Sequence, residues 1–406
     1  MRGFGVLIIL SVSYFLWSCG NKKESISDKS ELALNTSDNA LILDKTPIAK
    51  NISDSIFETL TLEEKIGQCF MPAIYSVSDD YTINYYKNLI EENHIGGIVL
   101  FKGDLSSARK IAELGAEANV PLFISIDAEW GLGMRLKDAP VFPQNGKIRK
   151  DVEENIMFDY GREVARECRN SGINMVLGPV VDIVESYKRG TIGLRSFGND
   201  PTFVSNHAVA YAKGLESGGI ISVAKHFPGH GSSTKDSHYG AAIIKKDLTS
   251  LDSVDFIPFK NYIDAGLSGV MAGHLKVPSI NPDGIPASVS PEILTTLLRE
   301  EMGFEGLVLT DSFDMGGAKG FSSEEAIKAG ADLVLCPRNP KKTITGMIEK
   351  VKKGEIDVKI IEDRCKRILF YKALFGFWEN IKIDNELEKE GDENYAKELI
   401  KNMTLN

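Results

Sequence analysis

Short apolar, β-rich runs alternate with longer stretches of mixed polar and apolar residues along most of this chain. Runs of strand length fall at 68–73, 97–101, 122–127, 173–177, 221–226, 269–274, 306–311 and 332–336. Between them the segments 151–171, 201–218, 255–265 and 291–303 carry the apolar spacing of helices. Ahead of the first run, Thr61 and Glu64 have the spacing of a capping box and predict a helix over 62–66. Strands alternating with helices point to parallel strands joined by crossovers. The repetition predicts an α/β fold, a single (β/α)8 barrel of the TIM type. A doubly wound open sheet is the alternative. No internal repeat of about 20–50 residues is evident.

In such a barrel the polar groups that matter sit at the C-terminal ends of the strands. Asp127, the pair Lys225-His226, His274 and Asp311 each follow an apolar run, and they predict one converging site.

The ends of the chain read differently. Arg2 precedes an apolar stretch over 4–17, shorter than the roughly 20 residues of a spanning helix. It closes on Leu16-Trp17-Ser18-Cys19-Gly20, which reads as a lipoprotein signal over 1–18 with lipidation at Cys19. An uncleaved anchor or an ordinary signal is the alternative. Residues 19–52 are rich in Ser, Asn, Asp and Lys and predict a flexible tether. The barrel is expected over 53–380 and a tail over 381–406, with an amphipathic helical pattern at 394–400. An anchor of this kind places the protein in the cell envelope, at the periplasm or outer membrane. Cys69, Cys168, Cys336 and Cys365 stand singly in apolar surroundings and read as buried thiols, with pairing left open.

Composition narrows the partners. The 406 residues hold 47 Lys+Arg and 57 Asp+Glu, a net charge of −10, with no basic stripe to suit nucleic acid. A hydrophobic fraction of 43% is that of a globular protein.

Four segments carry chemistry. In Lys225-His226-Phe227-Pro228-Gly229-His230-Gly231, followed by Asp236-Ser237-His238, histidines cluster. His226, His230 and His238 suit a loop metal site, although Pro228-Gly229 disfavours a helical zinc pair. Asp236 and His238 suit acid/base work instead, since a carboxylate beside an imidazole fixes its tautomer. A hydrogen-bonded surface loop is the plain alternative. Asp311, ending an apolar strand, is a candidate nucleophile or a helix cap. Asp127 and Arg135, around a glycine-rich turn, suit a polyhydroxylated ligand, and Glu129 is placed to pair with a cation. Arg195 lies on a turn-rich loop and suits either a ligand or a structural salt bridge.

Together these segments resemble the N-terminal domain of glycoside hydrolase family 3, in its bacterial β-N-acetylglucosaminidase branch, over about 55–375. The resemblance implies Asp311 as nucleophile and His238 as general acid/base, paired with Asp236. It implies Asp127, Arg135, Arg195, Lys225 and His226 as the residues that hold the sugar. The arginine of the Asp127 segment comes three residues later than the family pattern places it. No metal or organic cofactor is implied. The expectation is a monomeric, lipid-anchored retaining exo-β-N-acetylglucosaminidase acting on peptidoglycan-derived glycans. An N-acetylglucosaminide phosphorylase and a non-catalytic glycan-binding lipoprotein are the alternatives.

Overall fold

The capping box opens the structured body as the sequence predicts. In the computed structural model Thr61 accepts from the Glu64 backbone, and Glu64 returns the bond to the Thr61 N–H at 2.8 Å, starting the helix Leu62–Gly67. The structure describes residues 38–75, 80–188, 190–233, 242–378 and 393–404. Two units are distinguished, Met1–Asp44 and Lys45–Asn406, and the barrel belongs to the second.

The barrel strands are β1 (Phe70–Met71 and Ala73–Ile74), β2 (Gly97–Leu100), β3 (Phe123–Ile126) and β4 (Met175–Val176). They continue with β5 (Ile221–Phe227), β6 (Gly269–Ala272), β7 (Leu307–Thr310) and β8 (Val334–Leu335). Each falls on one of the sequence-predicted runs. All pairings between them are parallel. Pro72, which has no N–H for a ladder, divides β1. Phe70–Met71 pair with β8, and Ala73–Ile74 pair with β2. A bridge from Leu309 to Leu333 joins β7 to the start of β8, so the ring closes. Every residue of β2, β3, β5, β6 and β7 is buried. That explains their unbroken apolar runs, since parallel strands in such folds are covered on both faces.

Helices return the chain between strands, among them Asp80–Asn93, Leu105–Ala116, Glu154–Asn170 and Pro201–Ser217. The tail supplies the helix Glu393–Met403, which buries Ala396, Leu399 and Met403. The tether expectation over 19–52 is corrected in part: Asp38–Thr59 is helical. Ala49, Ser53 and Phe57 recur every four residues and are buried. The four cysteines of the body are buried free thiols. Cys19 lies outside the described residues. No helix among the described residues is long and apolar enough to cross a membrane.

Asp332 locks the seam of the ring. Its carboxylate accepts from Arg299 at 2.6 Å, from Arg367 at 2.6 Å and from the Val308 N–H at 2.8 Å. Asp332→Ala leaves two arginines without their carboxylate. It is expected to lower unfolding stability by roughly 3–5 kcal/mol, read as a fall in the urea midpoint at constant slope.

Candidate active site

A cavity of about 490 Å³ opens at the C-terminal ends of the strands. Asp127, Arg135, Arg195, Lys225, His226 and Asp311 all line it. The strand-end rule brings them together: each stands at or just past the end of an apolar strand, or on the loop that follows one.

Asp311 follows Thr310, the last residue of β7. Its N–H donates to the Ala272 carbonyl at 2.9 Å, and its carboxylate accepts from the Ser312 N–H at 2.8 Å. Burial alone raises the pKa of such a carboxyl. The facing His226 and His274, the Ser312 N–H and Lys225 overcome that and hold it below the ordinary value. Asp311 is thus an ionised carboxylate with few hydrogen-bond partners among the described residues, as a nucleophile requires. His274, the other predicted strand-end residue, is buried beneath the site instead of lining the cavity. It bonds Ser288 Oγ at 2.6 Å and the Ser312 carbonyl at 2.9 Å, and so fixes the backbone beside Asp311.

Across the cavity the charges interlock. Lys225 Nζ lies 2.6 Å from Asp127 Oδ1 and 2.8 Å from Glu129 Oε1. Glu129 accepts both Arg195 Nε at 2.8 Å and Arg195 Nη2 at 2.7 Å, the two-pronged geometry of guanidinium and carboxylate. Arg135 Nη2 bonds the second oxygen of Asp127. Burial opposes ionisation of both acids. Lys225 and Arg135 nevertheless hold Asp127 below its ordinary value, and Arg195 and Lys225 hold Glu129 well below its own. Burial likewise opposes the charge of Lys225, but Asp127 and Glu129 raise its pKa.

Lys225 and His226 are adjacent on β5, yet both reach the cavity. The ladder to β6 shifts register between Lys225 and Phe227, which breaks the usual alternation of faces. Asp182, fully buried, gathers the histidine segment. It accepts from His226 Nδ1 at 2.7 Å and from the His230 N–H at 2.6 Å. With its Nδ1 proton given to a carboxylate, His226 presents Nε2 as an acceptor, 3.3 Å from Arg195 Nη2. Two glycines permit this packing. Gly229 has φ of 125°, and a Cβ on Gly231 would lie 1.8 Å from the Ile183 carbonyl oxygen. His226 stands near the end of β5 and His230 on the loop that follows, with ring centroids 5.7 Å apart and no shared helix face. Among the described residues no group of three His, Cys, Asp or Glu side chains is arranged to hold a metal ion.

Asp236 and His238, the expected acid/base pair, lie outside the described residues. Their segment leaves the described chain after Ser233 and returns at Ala242, where Ala242–Ile243 pairs with Leu275–Lys276. Sequence reasoning did not assign Asp182, Tyr75 or Asp314 to the site, and it considered His230 only as a metal ligand. The signal for Asp182 was a strand-end acid displaced by Gly178-Pro179-Val180-Val181, an extended stretch in which Val180 still bridges to Lys225. Trp130 is packed against the core and is not a lining residue.

The glycosyl hydrolase family 3 N-terminal domain matches residues 61–370, and the chain belongs to that family. It is a glycoside hydrolase built on a (β/α)8 barrel. A β-hexosaminidase of Nitrosomonas eutropha is 34% identical over 262 residues, 61% of this chain and 74% of the relative. A β-N-acetylglucosaminidase/β-glucosidase of Cellulomonas fimi is 29% identical over 329 residues, 77% of this chain and 58% of that protein. The solved structure of a family 3 β-N-acetylglucosaminidase from Paenibacillus sp. str. FPU-7 has a TM-score of 0.74 and 28% identity, covering 85% of this chain and 69% of that one.

The lattice has a pH signature. Because the folded pKa of Glu129 is depressed, its stabilisation is complete above the unfolded value and fades as pH falls toward the folded one. Glu129→Gln is expected to be less stable than wild type at pH 7. The gap narrows between about pH 5 and pH 2, as thermal unfolding across that range will show.

Proposed function

We propose that this chain is a retaining exo-β-N-acetylglucosaminidase that removes terminal N-acetylhexosamine from glycans. The observation that carries the reading is the convergence of a buried, ionised Asp311 with Asp127, Arg195, Lys225 and His226 around one cavity. Fixed donors and acceptors on one wall suit the hydroxyls of a terminal sugar ring. That leaves its anomeric carbon to face Asp311. Relatives named for hexosaminidase activity support the choice of substrate.

In this reading His238, oriented by Asp236, protonates the leaving oxygen while Asp311 attacks the anomeric carbon and forms a glycosyl-enzyme. His238 then takes a proton from water, which displaces Asp311 with net retention. An imidazole, with an unperturbed pKa of about 6.5, suits proton transfer in both directions. Every residue assigned a role belongs to this chain, so a monomer suffices. Lipidation at Cys19 would hold the enzyme in the cell envelope, where peptidoglycan-derived fragments are the available N-acetylated glycans.

Asp311→Asn is expected to lower kcat by roughly 10³-fold or more on an aryl N-acetyl-β-glucosaminide. His238→Ala is expected to lose about 10²–10⁴-fold on unactivated disaccharides and far less on substrates with good leaving groups. Wild-type activity indifferent to Asp311→Asn would sink the assignment. Sugar 1-phosphate formed on adding inorganic phosphate would move the enzyme to the phosphorylases, and binding without turnover would make it a glycan-binding protein.

The anchor has its own test. Cys19→Ser is expected to shift the protein from the membrane to the soluble fraction, and the mature wild-type N-terminal peptide is expected to carry the mass of acyl chains. A soluble wild type excludes the anchor.

A further inference from the structure

The cavity has a second wall that none of these roles uses. Tyr75 follows the end of β1 and Phe101 follows the end of β2, and both line the cavity with Asp314. The two rings stack, with centroids 5.0 Å apart and planes 23° from parallel. Phe101 also packs against Arg135, whose guanidinium carbon lies 5.1 Å from the ring centroid. The Tyr75 hydroxyl donates to Asp314 Oδ2 at 3.1 Å. Burial and the Asp314 carboxylate push that phenol up to about 12, so it stays a donor at ordinary pH.

Held at one face and at its hydroxyl, Tyr75 is still 52% exposed. A large ring left open at the mouth of a polar cavity, and already immobilised, loses little side-chain entropy when a ligand covers it. Its free surface suits the C–H face of a pyranose. Tyr75 is the one side chain bonded to the Asp314 carboxylate among the described residues, which leaves acceptor capacity for a sugar hydroxyl. The location selects which sugar. The charged lattice draws on β3, β5 and the loop after β4 and surrounds the ring to be cleaved off. Tyr75 and Phe101 come from β1 and β2, and Asp314 stands three residues beyond Asp311.

We propose that Tyr75, backed by Phe101 and fixed by Asp314, is the platform for the second sugar of the substrate, the one that departs with the leaving oxygen. The proposal rests on the glycosidase reading. It makes the preferred substrate a β-linked di- or oligosaccharide with a pyranose in the leaving position, not a simple alkyl glycoside.

The test compares N,N′-diacetylchitobiose with the methyl β-glycoside of N-acetylglucosamine. Tyr75→Ala is expected to lower the ratio of their kcat/KM values roughly 3- to 10-fold, through KM of the disaccharide. Tyr75→Phe, which keeps the ring, is expected to restore most of that ratio. Calorimetry on Asp311→Asn protein reads binding without turnover. There the disaccharide is expected to bind more tightly than free N-acetylglucosamine, and adding Tyr75→Ala is expected to erase the difference. Equal losses on both substrates, or a disaccharide advantage that survives Tyr75→Ala, overturn the platform. Failure of Asp311→Asn protein to bind either sugar overturns the glycosidase reading and the platform with it.

Discussion

The contact of Lys225 with both Asp127 and Glu129 is the constraint on which the site depends. The Lys225 side chain is 3% exposed and that of Glu129 is not exposed at all. Taking such charges from water costs several kcal/mol each, and well-packed apolar residues in their place are often no less stable. Stability alone is therefore a poor account of the lattice. What it provides is position. Glu129 engages both Arg195 and Lys225, Lys225 also holds Asp127, and Arg135 holds the other oxygen of Asp127. No one of these groups can rotate without breaking an ion pair. A ligand hydroxyl therefore meets partners already oriented, and the reorganisation was done during folding.

The same field sets the state of Asp311. Burial favours its neutral form, and the neighbouring histidines and Lys225 reverse that preference. A buried carboxylate saturated with hydrogen bonds would be ionised and unreactive. Among the described residues the Asp311 carboxylate accepts one hydrogen bond, from the Ser312 N–H, and its other neighbours are His226, His274 and Lys225. His274 acts through the chain, by gripping the Ser312 carbonyl. Asp182 acts similarly on the other side, because its grip on His226 and on the His230 backbone decides which histidine nitrogen faces Arg195.

The barrel strands were legible in the sequence for a physical reason. Strands covered on both faces are mostly apolar and carry their charges at the C-terminal end, so a run such as Leu307-Val308-Leu309-Thr310 ends sharply at its first charge. That sharp ending also exposed Asp127, Lys225, His226 and Asp311. The rule weakened where strands end gradually. β4 is short, and extended chain carries on past it to Asp182, so the acid there looked like part of a loop. It gave no sign of Tyr75 or Asp314, whose importance lies in a contact between positions 239 residues apart. His274 obeyed the rule and still turned inward, because strand position fixes where a residue sits and not which partner its ring finds. The helix Asp38–Thr59 escaped notice because, where its burial is described, Ala49, Ser53 and Phe57 are buried at every fourth position among polar residues.

One departure from the family's spacing connects the two walls of the cavity. Arg135 comes late, after the extra turn of Gly131 and the short helix Leu132–Met134. It nonetheless reaches Asp127, which belongs to the charged lattice, and it lies over Phe101, which backs Tyr75. An arginine closer to Asp127 in sequence would be tied to that carboxylate by a shorter loop, with less reach toward β2. The longer turn lets a single guanidinium serve as ion-pair partner on one side and as support for an aromatic wall on the other, two roles that its flat, delocalised charge combines readily. Arg135 thus ties the aromatic rim of the mouth to the buried charges beneath it through one side chain.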